Sequence, residues 1–209
     1  MLAFIQLQHA TAHNNKTRPS AERKVHTPTM KSLPVLACIL LLTACTGIPG
    51  NVSPVTEFDV NRYLGNWYEI ARLDHSFERG LQQVTANYSL RKDGGIQVVN
   101  RGFNSREQRW EQADGKAYFI GAKNTGRLKV SFFGPFYGAY NIIELDKEDY
   151  RYALVCGPNK DYLWILAREP VIDKKILEQL LATAAAKGFD TGSLIYVNHA
   201  ATGQPAVLP

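Results

Sequence analysis

Two residues a hundred positions apart constrain this chain most. Gly65-Asn66-Trp67-Tyr68-Glu69-Ile70-Ala71-Arg72 opens a strand on a glycine followed two residues later by tryptophan, and Trp164-Ile165-Leu166-Ala167-Arg168 closes another strand on an arginine. A tryptophan ring capped by a guanidinium is a compact plug for the end of a small β-barrel: the ring fills the floor and the cation stacks on it. Taken alone, Gly65 and Trp67 would be read as a turn and a core residue. With Arg168 and the pattern between them, they predict a barrel with a closed floor and an open mouth. A cup of eight strands holds one small apolar ligand.

The intervening sequence is a series of short strands broken by turn signals, as an all-β barrel requires. Strands are expected at about 66–74, 84–91, 96–103, 109–120, 128–132, 138–145, 151–156 and 161–168. Val84, Ala86, Tyr88 and Leu90 alternate with polar residues, and Asp93-Gly94-Gly95 forms a tight hairpin turn. Eight antiparallel strands in up-and-down order close without exposed edges. Pro170 ends the last strand. Asp173 then suits an N-cap, Ile176, Leu177, Leu180, Leu181 and Ala184 form one apolar stripe at helical spacing, and Gly188 fits the position after the helix. One C-terminal α-helix packed outside the barrel is the expectation, followed by a short strand at Leu194-Ile195-Tyr196-Val197. The domain should run over 58–198, with 199–209 a disordered tail.

Ahead of the domain, Met30-Lys31 precedes an apolar run from Leu33 to Leu42. The run is too short to span a bilayer and has the length of a signal-peptide core. Residues 1–44 read as a leader. Residues 1–29 have neither an apolar run nor periodicity, and read as sequence ahead of a true start at Met30 or as a long n-region. Residues 45–57, with Pro49-Gly50 and Ser53-Pro54, have the composition of a linker that lets a domain stand off from its anchor.

Composition narrows the classes. The chain has 209 residues, 45% of them hydrophobic, with a formal charge of +5. That suits one domain with a proper core. Residues 1–44 hold five of the lysines and arginines and one acid, which leaves +1 for all the rest. Nucleic-acid binding has no charge support in the folded part. Of Cys38, Cys45 and Cys156, only Cys156 lies in the domain, so no intrachain disulfide is expected. No nucleophile–base pair, phosphate-binding glycine loop or metal-ligand spacing stands out, and His75 and His199 are isolated. Neither catalysis nor a metal or cofactor is expected.

The motifs add up to a family resemblance. Arg62-Tyr63-Leu64-Gly65, Trp67 to Arg72, Phe77-Glu78-Arg79-Gly80, Ser131 to Gly138, Leu154-Val155-Cys156-Gly157-Pro158, Tyr162 to Leu166 and Arg168 together resemble the bacterial outer-membrane lipocalins. The resemblance covers nearly all of 58–197. Leu42-Thr43-Ala44-Cys45 is similar to the lipobox of bacterial lipoproteins. By that likeness Cys45 is acylated, the leader is cut after Ala44, and Thr46 in place of an Asp favours the outer membrane, with the domain facing the periplasm. Several acyl chains hold a protein on a membrane where one is marginal. The resemblance implies an eight-stranded lipocalin barrel that binds fatty acids or lysophospholipids for storage or transport. A carrier of another apolar molecule and a structural envelope lipoprotein without a working pocket are the alternatives.

Candidate ligand contacts follow from parity and from one unusual segment. Trp164 and Leu166 share a face with Arg168, and Tyr88, Tyr118 and Tyr140 are further candidates for the lining. Phe132, Phe133, Phe136, Tyr137 and Tyr140 crowd around Gly134, Pro135 and Gly138. They make an apolar lip for a lipid, a surface for a membrane or a second subunit of a homodimer, or core residues that fold back. Arg79 and Arg106 could meet a head group at the mouth. Glu69 is expected to be paired near the floor. At ~0.8 kcal/mol per buried CH₂, a sixteen-carbon tail would release roughly 12 kcal/mol before the costs of immobilisation.

Overall fold

The computed structural model describes residues 46–200. The leader, Cys45 and the tail beyond 200 lie outside the described residues. Nine strands and two α-helices follow in the order α1 (Val60–Tyr63), β1 (Gly65–Arg72), β2 (Leu81–Leu90), β3 (Ile96–Asn104), β4 (Arg109–Phe119), β5 (Arg127–Phe133), β6 (Phe136–Leu145), β7 (Tyr152–Cys156), β8 (Leu163–Ala167), α2 (Lys174–Ala186) and β9 (Ile195–Tyr196). Each of the first eight strands pairs antiparallel with its sequence neighbour, and β8 returns to β1 to close the barrel. The eight expected strands are all present, with ends shifted by a few residues.

Alternation sorts the apolar residues into two cores. The inner one fills the barrel and includes Trp67, Tyr88, Val98, Leu128, Val130 and Trp164. The outer one lies between the wall of β1, β6, β7 and β8 and the apolar stripe of α2, where Leu177, Leu180 and Ala184 are buried. Helix α2 is bounded as its sequence requires. The Asp173 carboxylate accepts from the backbone N–H of Lys175 and Ile176 at 2.8 and 3.2 Å. Gly188 follows with φ 80°, and the N–H groups of Gly188 and Phe189 return to the carbonyls of Ala185 and Ala184. All members of both cores fall between Ile48 and Tyr196, so residues 46–200 contain a complete folding unit.

Two segments differ from their sequence reading. Residues 46–57 are no free linker. Val55 donates to the Ile142 carbonyl at 2.8 Å and accepts from Gly126 at 2.8 Å, Thr56 bridges Thr125, and the Asn141 side-chain amide donates to Gly47 O at 3.2 Å. Val52 is buried in the outer core. The segment is a strap along the barrel wall, held by backbone hydrogen bonds that composition does not reveal. At the other end, the start of the expected tail is bound. Strands β1 and β2 pair only over Gly65–Tyr68 with Thr85–Tyr88 and diverge above. The C-terminal segment lies in that gap: Val197 donates to Ile70 O, Asn198 O accepts from Gln83, and a His199 ring nitrogen lies 2.8 Å from Glu69 O.

Candidate functional site

Gly65, Trp67 and Arg168 lie together at one end of the barrel. Gly65 takes φ 92°, which lets the chain turn from α1 into β1. Trp67 follows, fully buried, its indole N–H donating to Tyr63 O at 2.8 Å. The Arg168 guanidinium carbon stands 4.0 Å from the Trp67 ring centroid. The same guanidinium donates to the carbonyls of Arg62, Asn66 and Tyr150 at 2.7, 2.8 and 3.2 Å. Arg168 therefore seals the floor by joining the end of α1, the start of β1 and the turn before β7. A lysine could not reach three carbonyls from one plane.

Above the floor lies a tyrosine cluster. Tyr140 Oη is 2.7 Å from Tyr63 Oη and 2.9 Å from Tyr88 Oη. Burial raises the pKa of Tyr63 and of Tyr140 well above the ordinary value and pushes that of Tyr88 up to about 12, so the three phenols are neutral. They border a cavity of about 20 Å³ with Phe58, Val98 and Leu128. That is room for about one water. Tyr63 and Phe58 were not foreseen as lining residues: they lie before and in α1, outside the strand alternation.

The upper barrel holds charges. Glu69, Arg72 and Glu78 are all buried. Arg72 donates to Glu69 Oε1 at 2.7 Å and to the carbonyl of Glu78 at 2.7 Å, and Glu78 Oε2 accepts from the Trp164 indole at 3.1 Å. Trp164 is thus inside the barrel, as parity indicates. Glu69 is paired, but toward the mouth and not near the floor. The cause is an irregularity in β1 between Glu69 and Ala71, which lets Glu69 and Arg72 both face inward. The loop after β1 then folds over this group. The His75 ring stacks on Phe77 and Tyr162 at 5.0 and 4.7 Å, and its Nε2 has no hydrogen-bond partner among the described residues. Burial lowers its pKa to about 4, so the ring is neutral.

The remaining candidates divide between lip and outer wall. Phe133 and Phe136 are 62% and 63% exposed at the tip of the β5–β6 hairpin, forming the lip. Tyr118 and Tyr137 do not line the interior. Ala117 faces the cavity, so Tyr118 points outward, where its hydroxyl donates to Asp93 at 2.9 Å and its ring meets Tyr137 edge-on at 6.3 Å. Lys129 Nζ lies 4.8 Å from the Tyr137 ring on that same outer face. Of the two candidate head-group arginines, Arg79 is bound to Asp74 at 3.0 and 3.1 Å, and Arg106 lies beside Gly80. Cys156 is buried, and its thiol is pushed up to about 12, so it carries no thiolate near neutral pH.

Residues 58–199, which make this barrel, match a family model described as a lipocalin-like domain. The chain belongs to the lipocalins. Among similar proteins, the outer membrane lipoprotein Blc of Vibrio cholerae is 54% identical over 168 residues, covering 80% of this chain and 98% of that protein. The protein of the same name from Citrobacter freundii is 56% identical over 173 residues, covering 80% and 97%. Mouse apolipoprotein D is 35% identical over 144 residues, covering 66% and 75%. Among solved structures, insecticyanin from the tobacco hornworm Manduca sexta superposes with a TM-score of 0.60 at 20% identity, covering 73% of this lipocalin and 86% of that chain. That last likeness is one of fold.

Proposed function

We propose that this lipocalin is held at the outer membrane by acyl chains on Cys45, with its barrel on the periplasmic side, and takes up one fatty acid or lysophospholipid for storage or transport. Two bacterial relatives more than half identical to it carry the name outer membrane lipoprotein, and the leader ends in Leu42-Thr43-Ala44-Cys45. The observation that carries the ligand reading is the barrel interior itself, whose lower part is lined by apolar and aromatic residues beneath the buried Glu69, Arg72 and Glu78 group. A drug-sized ligand needs ~300 Å³ or more, so binding entails displacement of side chains that now fill the cup. Phe77, Phe132 and Tyr162, packed only in part against the inner core, are the ones placed to move.

The small cavity also favours a second reading, a structural lipoprotein whose cup stays filled. Titrating Trp fluorescence of refolded residues 46–209 with a lysophospholipid and a fatty acid of equal chain length separates the two. Saturable one-to-one binding whose signal is lost in Trp164→Phe supports the carrier. No response to either lipid supports the filled barrel.

A further inference from the structure

The barrel wall has a notch. Strands β4 and β5 are in register from Lys116 opposite Ser131 down to Phe119 opposite Leu128, with Ile120 N donating to Arg127 O at 2.9 Å just below. Above Lys116, β4 continues from Gly115 to Arg109 against β3 alone, while β5 loses register after Val130 and turns back at Phe133. The ring of Phe132 fills the break. A Cβ placed on Gly115 would stand 2.7 and 2.8 Å from two of its ring carbons, so the ring lies where a β4 side chain would be. Phe132 also packs on the inner core, so one ring divides the interior from the outside.

Outside the notch is a hollow of about 180 Å³, bordered by Arg91, Asp114, Lys116, Ser131 and Phe132. Its chemistry is polar, unlike that of the cavity within. Ser131 is 4% exposed, and its hydroxyl has no hydrogen-bond partner among the described residues. A buried hydroxyl left unpaired is costly, and a ligand oxygen would satisfy it. Arg91 is fixed by Asp93 and Gln97, and Asp114 accepts from Gln112 at 3.1 Å. Lys116 and Asp114 thus put opposite charges on one rim, with the hydroxyl between β4 and β5 beside them.

We propose that this notch is a side entrance to the barrel: Phe132 is its gate, and the hollow seats the head group of a zwitterionic single-chain phospholipid. The phosphate meets Lys116 and the Ser131 hydroxyl, the terminal ammonium meets Asp114, and the acyl chain passes Phe132 into the cup. A phosphate accepts several charge-assisted hydrogen bonds at once, and a fatty-acid carboxylate has no ammonium for Asp114. The inference rests on the lipid-binding reading and refines it by selecting the head group.

The test uses refolded residues 46–209, titrated with lysophosphatidylethanolamine, lysophosphatidic acid and a fatty acid of the same chain length. Lys116→Met and Ser131→Ala should each weaken both lysophospholipids about tenfold and leave the fatty acid within about twofold. Asp114→Asn should weaken lysophosphatidylethanolamine alone. In stopped-flow mixing, Phe132→Ala should speed association of all three. Equal losses for the three lipids, no loss for any, or an unchanged association rate in Phe132→Ala would overturn the entrance. If wild-type protein binds the fatty acid but no lysophospholipid, the head-group seat falls and the carrier reading stands. If it binds none of them, both fall.

Discussion

At the scale of single residues, the costliest group in the barrel is Arg72. It is 1% exposed and neutralises Glu69 in a region without solvent. Arg72→Met keeps the volume and strands the Glu69 carboxylate. The expected loss is about 3–5 kcal/mol in urea unfolding, the penalty for a broken buried pair. Arg72 Nε also lies 3.8 Å from the buried Glu78 carboxylate, so recovering much of that loss should take Gln at both Glu69 and Glu78 together with Arg72→Met. His75 gives a second prediction. Its folded pKa, about 4, lies below the ordinary 6.5, because burial opposes the charged ring. The stabilisation is therefore present above pH 6.5 and is lost as pH falls toward 4. His75→Phe, which retains the stack with Phe77 and Tyr162, should flatten the stability profile across that window. A profile identical to the wild type would refute the assignment.

At the scale of elements, the strap is the least expected piece and the easiest to unseat. Gly126 faces it so closely that a Cβ would lie 2.8 Å from Val55 and 2.9 Å from Ile142. Gly126→Ala should lift residues 46–57 from the wall while the barrel persists. Limited proteolysis then cuts within the strap, and the wild type resists under the same conditions. Much of the element plan was legible beforehand, because alternation, Asp93-Gly94-Gly95, Asp173 and Gly188 each state a local geometry. The misplacements have physical causes. In Lys116-Ala117-Tyr118-Phe119 the larger ring looks like the lining residue, yet register puts Ala117 opposite Val130 and turns Tyr118 outward. The β1 irregularity reverses parity after Glu69 without leaving a mark in composition. The strap is invisible for a simpler reason: its hydrogen bonds come from backbone groups that every residue possesses.

For the molecule as a whole, the inner and outer cores hold protons that an unfolded chain would release. Burial keeps Tyr63, Tyr88, Tyr140 and Cys156 protonated beyond their ordinary values, Tyr88 and Cys156 to about 12. Raised pKa values stabilise the fold fully below pH ~9, and that contribution is lost as pH rises through the folded values, at roughly 1.4 kcal/mol per pH unit for each group. The urea midpoint should fall steeply between pH 9 and 12, and Tyr88→Phe together with Cys156→Ser should make the fall shallower. An equal slope in the double variant would place the alkaline sensitivity elsewhere.

The docked strap sets how far the domain can travel. Gly47 is already bound to the barrel, and only Thr46 separates it from Cys45. With acyl chains on Cys45 as proposed, the leash is about two residue spacings, roughly 7 Å. A barrel on so short a leash cannot cross the periplasm with its cargo. On the proposed anchor and ligand it would serve as a depot beside its own leaflet, and a lipid bound for another membrane would have to be handed on at that surface.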